Sequence, residues 1–370
     1  MEDIIKKEME RKNINAKEFA KLLSVTPGNI SKFMNKKAEI NFVTFLNMIQ
    51  VLSPEKEFEL MQKYVLSCTK PQNVKLSMEY LSRHSLSDLL EKLIDKALTM
   101  KNALTAEMAE LYKFLNEMSN EGFPKSFVKK YFQMQPRDDN SKLLLHLIFS
   151  YYLLERAQYN TLFELIEEID ERVETMTDEY LKDSFKTRIF EIYSDAFLTL
   201  DEREKTRCFA QEILNYPYAG GKVLAKAYHN IGFSYLFESQ EKTLYYLNKS
   251  VQTYKEHGYI ETANWILNTR LLPTENYFSL ISEEQFTKKP NEYPMEYAHF
   301  LIVKKRYNEA LKILEGVPDN PYKDYIKGLC FPDEKGIVLL YKSMLSFERV
   351  GNKFSSNLAR NELKRRGYVL

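Results

Sequence analysis

The sequence predicts an all-α protein, and three observations support this prediction. Only 11 of the 370 residues are glycine and 12 are proline, whereas sheet-rich folds with many tight turns usually need more of both. Apolar residues recur at helical spacing in many segments, for example at Leu86, Leu89, Leu90, Leu93 and Ile94. No segment shows the clear apolar–polar alternation that is typical of a half-buried strand.

Composition excludes several classes of protein. The 53 basic and 52 acidic residues leave a net charge of +1, so any nucleic-acid-binding surface must be local. The 44% hydrophobic content provides a substantial core and excludes a largely disordered chain. Cys68, Cys208 and Cys330 lack the spacing of a metal or redox motif, which favours a reducing, cytoplasmic environment. The longest apolar stretch, residues 143–154, is shorter than the ~20 residues of a membrane span. We therefore expect no membrane association.

The first 52 residues are predicted to form four short helices, and capping residues mark three of their starts. Asn15 is suited to cap the second helix, because Glu18 follows three residues later as in a capping box. Thr26 is suited to cap the third, with Pro27 at the first helical position, where a missing N–H costs nothing. Asn41 would cap the fourth. The predicted helices span residues 2–11, 16–23, 27–34 and 42–52.

Residues 15–37 have the spacing of a helix-turn-helix. Ala20 lies where the two helices would cross and where only a small side chain fits. The segment resembles the Cro/repressor-type helix-turn-helix, except that Ser24 stands in the turn where that family usually has glycine. Five apolar side chains are spaced to form a small core: Phe19, Leu23, Val25, Ile30 and Phe33.

Local positive charge accompanies this motif, because residues 24–38 include three lysines and no acid. The second helix of such a motif enters the major groove N-terminus first, so Asn29 and Lys32, with Thr26 nearby, are candidates to read base edges. Lys36 and Lys37 are candidates to hold phosphates. One module reads one half-site, which implies a homodimer on a two-part operator. The alternative is that these are ordinary solvated side chains of a small helical bundle.

From Pro54 onward the pattern is helical almost without interruption. None of the breaks is long enough to be a flexible linker between domains, which predicts one continuous superhelix. The breaks are predicted near Pro71, residues 122–124, Pro136, residues 217–221, Pro273, residues 290–294, residues 318–321 and Pro332.

Internal repetition supports a repeat architecture. Residues 242–259 and 335–352 match in outline. The patterns Tyr307-x-x-Ala310, with a closing proline, and Gly232-x-x-Tyr235 resemble the tetratricopeptide repeat, in which a small residue lets paired helices approach. Stacked pairs of this kind usually bind peptides on a concave face. We therefore expect a helix-turn-helix domain at residues 1–53 and a degenerate tetratricopeptide-repeat domain, for peptide binding and dimerisation, at residues 54–370.

A DNA-binding head followed by such repeats resembles the peptide-pheromone receptors of Gram-positive bacteria and their phages. More specifically, the chain resembles the arbitrium receptors (AimR family), which are lysis–lysogeny regulators of temperate Bacillus phages. The order and spacing of several short segments carry this resemblance over almost the whole chain. The segments are residues 53–64, 185–200, 228–237, 296–300, 325–328 and 352–354.

The resemblance implies a function. The free dimer would bind operator DNA and activate a transcript that favours lysis, and a short secreted peptide would bind the repeat domain and silence activation. Two alternatives remain open: a host quorum-sensing regulator with the same two parts, and a repeat-based protein-interaction inhibitor with a vestigial helix-turn-helix.

The resemblance also implies peptide-binding residues. Asp195 and Thr199, one helical turn apart, match asparagines that grip the peptide backbone in a family member. Lys222 matches a pocket arginine, which suits a peptide carboxylate. Asn230 and Phe233 lie around the family's next pocket asparagine, with Phe233 at the matching place. For Asp195 and Lys222 the alternative is a solvated helix face or an internal ion pair.

Three further residues complete this set. Glu296 matches a pocket glutamate and is a candidate for the N-terminal amine of the peptide, with the same alternative of a solvated or paired side chain. Asn352 stands where a family member has an aspartate that reads a basic peptide residue, and Phe354 matches an apolar contact. For Phe233 and Phe354 the alternative is plain core packing. Asn352 replaces the aspartate of a family member, and Phe233 replaces an asparagine. These replacements imply a peptide different from those of the best-known members.

No enzymatic motif is apparent. None of the five histidines has the spacing of a metal site, and Val223 replaces the Ser/Thr that a phosphate-binding loop would need after Lys222. We expect no catalysis, metal or cofactor. Family members can end in a leucine-rich helix used for dimerisation, whereas residues 358–370 combine leucines with four basic residues.

Overall fold

A computed structural model describes residues 1–281 and 292–368. Every regular element in these residues is helical, which confirms the all-α class. Pro290 in one predicted break, and Val369 and Leu370 at the end of the chain, lie outside the described residues. The helices are α1 (Glu2–Arg11), α2 (Ala16–Leu22), α3 (Pro27–Met34), α4 (Phe42–Leu52), α5 (Glu57–Ser67), α6 (Pro71–Arg83), α7 (Ser87–Thr99), α8 (Ala103–Glu121), α9 (Phe127–Gln133), α10 (Asp139–Glu155), α11 (Tyr159–Glu174), α12 (Glu179–Thr199), α13 (Arg203–Ile213), α14 (Gly221–Ser234), α15 (Gln240–Glu256), α16 (Ile260–Ile266), α17 (Leu272–Tyr277), α18 (Pro294–Val303), α19 (Tyr307–Glu315), α20 (Pro321–Leu329), α21 (Glu334–Arg349) and α22 (Lys353–Arg365).

The chain packs into two compact units. The first comprises Met1–Tyr152 and Leu165–Lys186, and the second comprises Leu153–Glu164 and Thr187 onward. The four helices predicted within residues 1–53, called the head below, are confirmed and belong to the first unit. The functional division at residue 53 stays a prediction.

The predicted helix caps of the head are confirmed. The Asn15 side chain accepts hydrogen bonds from the backbone of Lys17 and Glu18, and Glu18 completes the capping box. The Thr26 hydroxyl accepts from Asn29 N at 3.3 Å, and the Asn41 side chain caps α4. Each cap satisfies a backbone N–H that has no partner inside the helix.

The helix-turn-helix core forms largely as predicted. Phe19, Ala20, Ile30 and Phe33 are buried, while the predicted core residues Leu23 and Val25 are half-buried. The Phe33 ring meets the Phe45 ring edge-on with centroids 5.8 Å apart. Ala20 is 1% exposed, which agrees with the small buried residue that the motif requires.

Glu39 fastens the end of the head to α6 within the first unit. Its carboxylate accepts hydrogen bonds from Thr69 Oγ1 at 2.7 Å, from Thr69 N at 2.8 Å and from Asn73 Nδ2 at 2.5 Å. Asn73 also accepts from Phe42 N at 3.0 Å and donates to Ile40 O at 2.9 Å. Burial alone would raise the pKa of Glu39, but these hydrogen bonds outweigh it and the pKa is lowered.

The matched segments of the second unit form matching helix pairs. In the α14–α15 pair, a Cβ on Gly232 would lie 3.0 Å from Leu247 Cγ, and in the α20–α21 pair a Cβ on Gly328 would lie 2.8 Å from Leu340 Cγ. Gly351 follows α21 with φ of +76°. A glycine thus permits the close helix approach in both pairs.

The predicted break near Pro273 is wrong. The chain continues from α16 through a π-helical segment, Leu267–Leu271, directly into α17. Proline lacks an N–H and its ring crowds the carbonyl four residues earlier, which is that of Thr269. A π-helical turn uses a different hydrogen-bond register, so the helix widens locally and continues past the proline.

The apolar stretch at residues 143–154 contributes to the core. Leu143, Leu144, Leu147 and Ile148 of α10 are buried. Among residues 1–281 and 292–368, no helix is both long and apolar enough to span a bilayer.

Candidate functional site

All five predicted DNA-binding residues lie on α3 or within three residues of its ends, and all are exposed to solvent. They are Thr26, Asn29, Lys32, Lys36 and Lys37. Thr26 also caps the helix through its hydroxyl, so its side chain has a structural role as well. Lys36 approaches Asp3 only at 3.9 Å, with both side chains mostly exposed, a separation at which an ion pair contributes little. The surface can therefore offer its lysines to an anionic partner.

The second unit contains a cavity of about 300 Å³. Side chains from α14, the π-helical segment, α17, α18, α20, α21 and α22 line it. Its walls are mostly aromatic and aliphatic, with a few polar groups, the usual composition of a site for a small ligand. Three predicted peptide-binding residues line it: Phe233, Glu296 and Phe354.

Two opposite charges line this cavity without pairing to the described part of the chain. Arg270 and Glu296 form no ion pair within 4 Å with any described residue. Burial raises the pKa of Glu296, and the nearby Arg270 partly opposes the rise. Burial lowers the pKa of Arg270, against the attraction of Tyr322 and Glu296. Each group therefore feels the other but is not neutralised by it.

A buried histidine adds an unused polar atom to the same wall. His299, one helical turn after Glu296 on α18, is only 4% exposed, and its Nδ1 has no hydrogen-bond partner among the described residues. Burial lowers the pKa of His299 to about 4, so the ring is neutral at physiological pH. A buried polar atom without a partner is rare in proteins, and a bound ligand could supply one here.

The two predicted phenylalanines both pack and line the cavity. The rings of Phe233 and Phe354 meet edge-on with centroids 6.2 Å apart, and Phe354 is buried. Core packing and ligand contact are therefore compatible at these two positions. Asn352 does not line the cavity; its side chain accepts a hydrogen bond from Ser355 N at 2.9 Å and caps α22.

Three of the remaining predicted residues, Asp195, Thr199 and Asn230, belong to a separate polar cluster on α12 and α14. Asp195 accepts hydrogen bonds from Asn230 Nδ2 at 2.8 Å and from Lys226 Nζ at 2.6 Å. The Thr199 hydroxyl donates to the Asp195 backbone carbonyl at 2.9 Å. Lys222 is half-buried in the first turn of α14 and does not line the cavity. Asp195 thus takes part in an internal ion pair, the alternative considered from the sequence.

His229 lies between the cluster and the cavity wall. Its Nδ1 is 3.1 Å from Asn230 Oδ1, and its ring centroid is 4.8 Å from that of Phe233. Burial lowers its pKa to about 4, and its Nε2 is buried without a partner among the described residues. The uncharged ring therefore joins the Asp195 cluster to an aromatic wall of the cavity.

Sequence reasoning missed Arg270, His299 and Tyr322 as cavity residues. His299 carried a usable signal, because it lies three residues after Glu296 and so on the same helix face. Arg270 carried none, since its position depends on the π-helical segment. Among the described residues, no group of three His, Cys, Asp or Glu side chains is arranged to hold a metal ion.

Comparisons with known proteins give relatives over the whole chain. An uncharacterized protein of Bacillus anthracis is 30% identical over 226 residues, which cover 59% of this chain and 82% of that protein. The AimR transcriptional regulator of Bacillus phage SPbeta is 22% identical over 379 residues, which cover 98% of this chain and 95% of that protein.

Two solved structures have the same fold. A selenomethionine form of phAimR matches with a TM-score of 0.79 and 20% identity, covering 100% of this chain and 97% of that one. A structure described as phAimR-Ligand matches with a TM-score of 0.75 and 18% identity, covering 88% of this chain and 97% of that one.

The match to a known family begins directly after the four head helices and covers most of the helices of both units. Residues 57–365 match the family described as AimR transcriptional regulator-like. The resemblance expected from the sequence is therefore confirmed, and the chain belongs to the AimR transcriptional regulator-like family.

Proposed function

We propose that this protein is a peptide-controlled, DNA-binding transcription factor of a phage lysis–lysogeny switch. As a homodimer it binds a two-part operator through α3 and activates a lysis-promoting transcript. A short signalling peptide binds the second unit and ends activation. Membership of a family of transcriptional regulators, with a relative in a Bacillus phage, supports this proposal.

The exposed face of α3 supports the DNA-binding part. Asn29 and Lys32 lie on the solvent side of a capped helix whose other face packs into the head. In this motif such a helix reads base edges in the major groove. Lys36 and Lys37 follow at its C-terminal end, where they would contact phosphates and fix the register.

The observation that carries the peptide-binding part is the cavity with two charges that no residue of the described chain pairs. A peptide offers an apolar surface, a carboxylate and an amine. The cavity offers aromatic walls, Arg270 and Glu296. Phe233 and Phe354 would contact apolar parts of the peptide, and the Asp195 cluster beyond His229 would contact its backbone.

Control of DNA binding by the peptide requires that the peptide bind one arrangement of the dimer more tightly than another. A ligand of equal affinity for both arrangements shifts nothing. To change the ratio of the two arrangements from 1:99 to 99:1, the peptide must bind the favoured arrangement about 10⁴-fold more tightly than the other.

A gel-shift experiment with the intergenic DNA flanking the gene tests both parts. The wild type is compared with an N29A/K32A variant and with K312A, which removes an exposed lysine of α19 outside the cavity. Each protein is titrated without and with the peptide encoded by the neighbouring small gene. We expect a specific shift for wild type and K312A that the peptide abolishes, and a shift at least ~10-fold weaker for N29A/K32A.

Other outcomes assign the protein differently. A specific shift that the peptide leaves unchanged would leave a DNA-binding regulator with another ligand. If N29A/K32A still supports regulation, the repeats act on a protein partner and the head is vestigial. Genes of host rather than phage origin around the locus would favour a host quorum-sensing regulator.

A further inference from the structure

The π-helical segment places a cation at the cavity. Within Leu267–Leu271, the consecutive residues Thr269 and Arg270 both line the cavity. π-helical turns occur mostly as short insertions in α-helices, frequently at functional sites. Because a π-helical turn holds more residues than an α-helical turn, the side chains of this segment do not follow the α-helical period. Arg270 lies inside the segment and lines the cavity.

The guanidinium of Arg270 can donate hydrogen bonds to an anion, but it has no anionic partner among the described residues. Among the described residues it forms no ion pair, and its one hydrogen bond there, to the carbonyl of Thr269, is long at 3.4 Å. Its guanidinium lies 5.2 Å from the ring centroid of Trp265, which leaves its N–H edges available. Glu296 lines the same cavity but lies too far away to neutralise it.

The rest of the cavity suits a polar ligand rather than a purely apolar one. His299 Nδ1 is buried without a hydrogen-bond partner in the described part of the chain, and the side chain is more than nine-tenths buried. Glu296 is half-buried without a cationic partner among the described residues. An apolar occupant would leave Glu296 and His299 Nδ1 unsatisfied, and each such group costs free energy when water is excluded.

We propose that Arg270 is a specificity-determining residue that binds a carboxylate of the peptide ligand. The proposal rests on the peptide-receptor function proposed above and adds a residue and a ligand chemistry to it. A guanidinium binds a carboxylate through two parallel N–H···O bonds, which lysine cannot form. The carboxylate belongs either to the C-terminus of the peptide or to an acidic side chain.

Affinity capture from pools of short synthetic peptides tests the proposal. The first pool has free C-termini and no acidic side chains. The second has amidated C-termini and one Asp or Glu at varied positions, and the third has amidated C-termini and no acid. The immobilised full-length proteins are wild type, R270Q, R270K and R349Q. The last is a matched control, because Arg349 is exposed and does not line the cavity. Bound peptides are quantified by mass spectrometry, and thermal unfolding checks that each variant is folded.

We expect the wild type and R349Q to enrich the first or the second pool about tenfold or more over the third. R270Q loses this preference, and R270K retains only part of it. Enrichment of the first pool identifies a C-terminal carboxylate, and enrichment of the second identifies an acidic side chain.

Two results would overturn the proposal for Arg270 without overturning the peptide-receptor function. The first is that wild type captures the third pool as strongly as the others. The second is an unchanged carboxylate preference in folded R270Q. If wild type captures no peptide from any pool, the peptide-receptor function fails and this inference fails with it.

Discussion

Asn230 on α14 and Asp195 on α12 are joined by a hydrogen bond of 2.8 Å from the side-chain amide to the carboxylate. The same amide donates to Ser194 Oγ at 2.9 Å, and Asn230 is only 3% exposed. The amide thus already uses its donors inside the second unit. Asn230 was a peptide-binding candidate, but these contacts give it a structural role whether or not a peptide also contacts it.

Asn230→Ala should therefore destabilise the second unit. The substitution removes the buried donor that Ser194 Oγ and Asp195 Oδ1 share, so we expect the free energy of unfolding to fall by about 1–3 kcal/mol. Chemical denaturation measures the change. Asn248→Ala is the control, because Asn248 is exposed on α15 and bonds only within its own helix; it should change stability by less than about 0.5 kcal/mol. Unchanged stability in Asn230→Ala would contradict the structural role.

Gly232→Ala should separate α14 from α15. The added Cβ would lie 3.0 Å from Leu247 Cγ and 3.1 Å from Leu247 N, and the backbone nitrogen cannot move aside as a flexible side chain can. We expect a loss of about 1–3 kcal/mol in unfolding free energy, as for other overpacked sites. Gly316→Ala is the matched control in the same unit, since its Cβ would meet only Ile313 O at 3.7 Å. Equal stability of the two variants would show that the helix pair tolerates the contact.

Gly232 shows where sequence reasoning works. Gly232 was identified because a repeat pattern fixes both the residue and its local role. The caps Asn15, Thr26 and Asn41 were identified for a similar reason, since a cap depends only on residues three or four positions away. Local interactions of this kind leave a local signal.

The parts that were missed depend on long-range packing. Pro273 predicted a break because proline usually ends a helix, but the π-helical segment before it accommodates the ring. Arg270 lies in that π-helical segment, where side chains do not follow the α-helical period, so α-helical periodicity could not place it in the cavity wall. The resemblance to a known family identified Glu296, Phe233 and Phe354, which line the cavity. It did not indicate that Asp195 is already paired with Lys226.

Ser24→Gly should stabilise the head. Ser24 lies in the turn of the helix-turn-helix with φ of +54°, a region that glycine occupies at no steric cost and other residues occupy at a cost of roughly 1 kcal/mol. The greater freedom of glycine in the unfolded chain offsets part of this gain. We expect a net increase of a few tenths to ~1 kcal/mol, measured by thermal unfolding of the full chain. Ser24→Val should reverse the sign, because a β-branched residue fits this region poorly. Destabilisation by glycine would contradict the proposed strain.

The stability of the second unit should fall as the pH drops from about 6.5 towards 4. The pKa of His299 is lowered from 6.5 to about 4 by burial, so in this window the unfolded chain holds a proton that the folded chain does not. Acidification then favours unfolding by about 1.4 kcal/mol for each pH unit per histidine. Stability is complete above the unfolded pKa and declines below it. His229, whose pKa is also lowered to about 4, adds a second contribution of the same sign.

His299→Gln tests this assignment because glutamine cannot take up the proton. Between pH 6.5 and 4, the unfolding free energy of the variant should fall less steeply than that of the wild type. The difference in slope should correspond to about one proton taken up on unfolding. Its stability at neutral pH is the internal reference, which separates a packing loss from a titration effect. Chemical denaturation at several pH values measures the slope, and NMR of the imidazole should show His299 still neutral at pH 5. A ring that titrates near 6.5 in the folded protein would mean that water reaches Nδ1. The cavity would then hold a solvated histidine and would not be the dry, partly unsatisfied site that a ligand could complete.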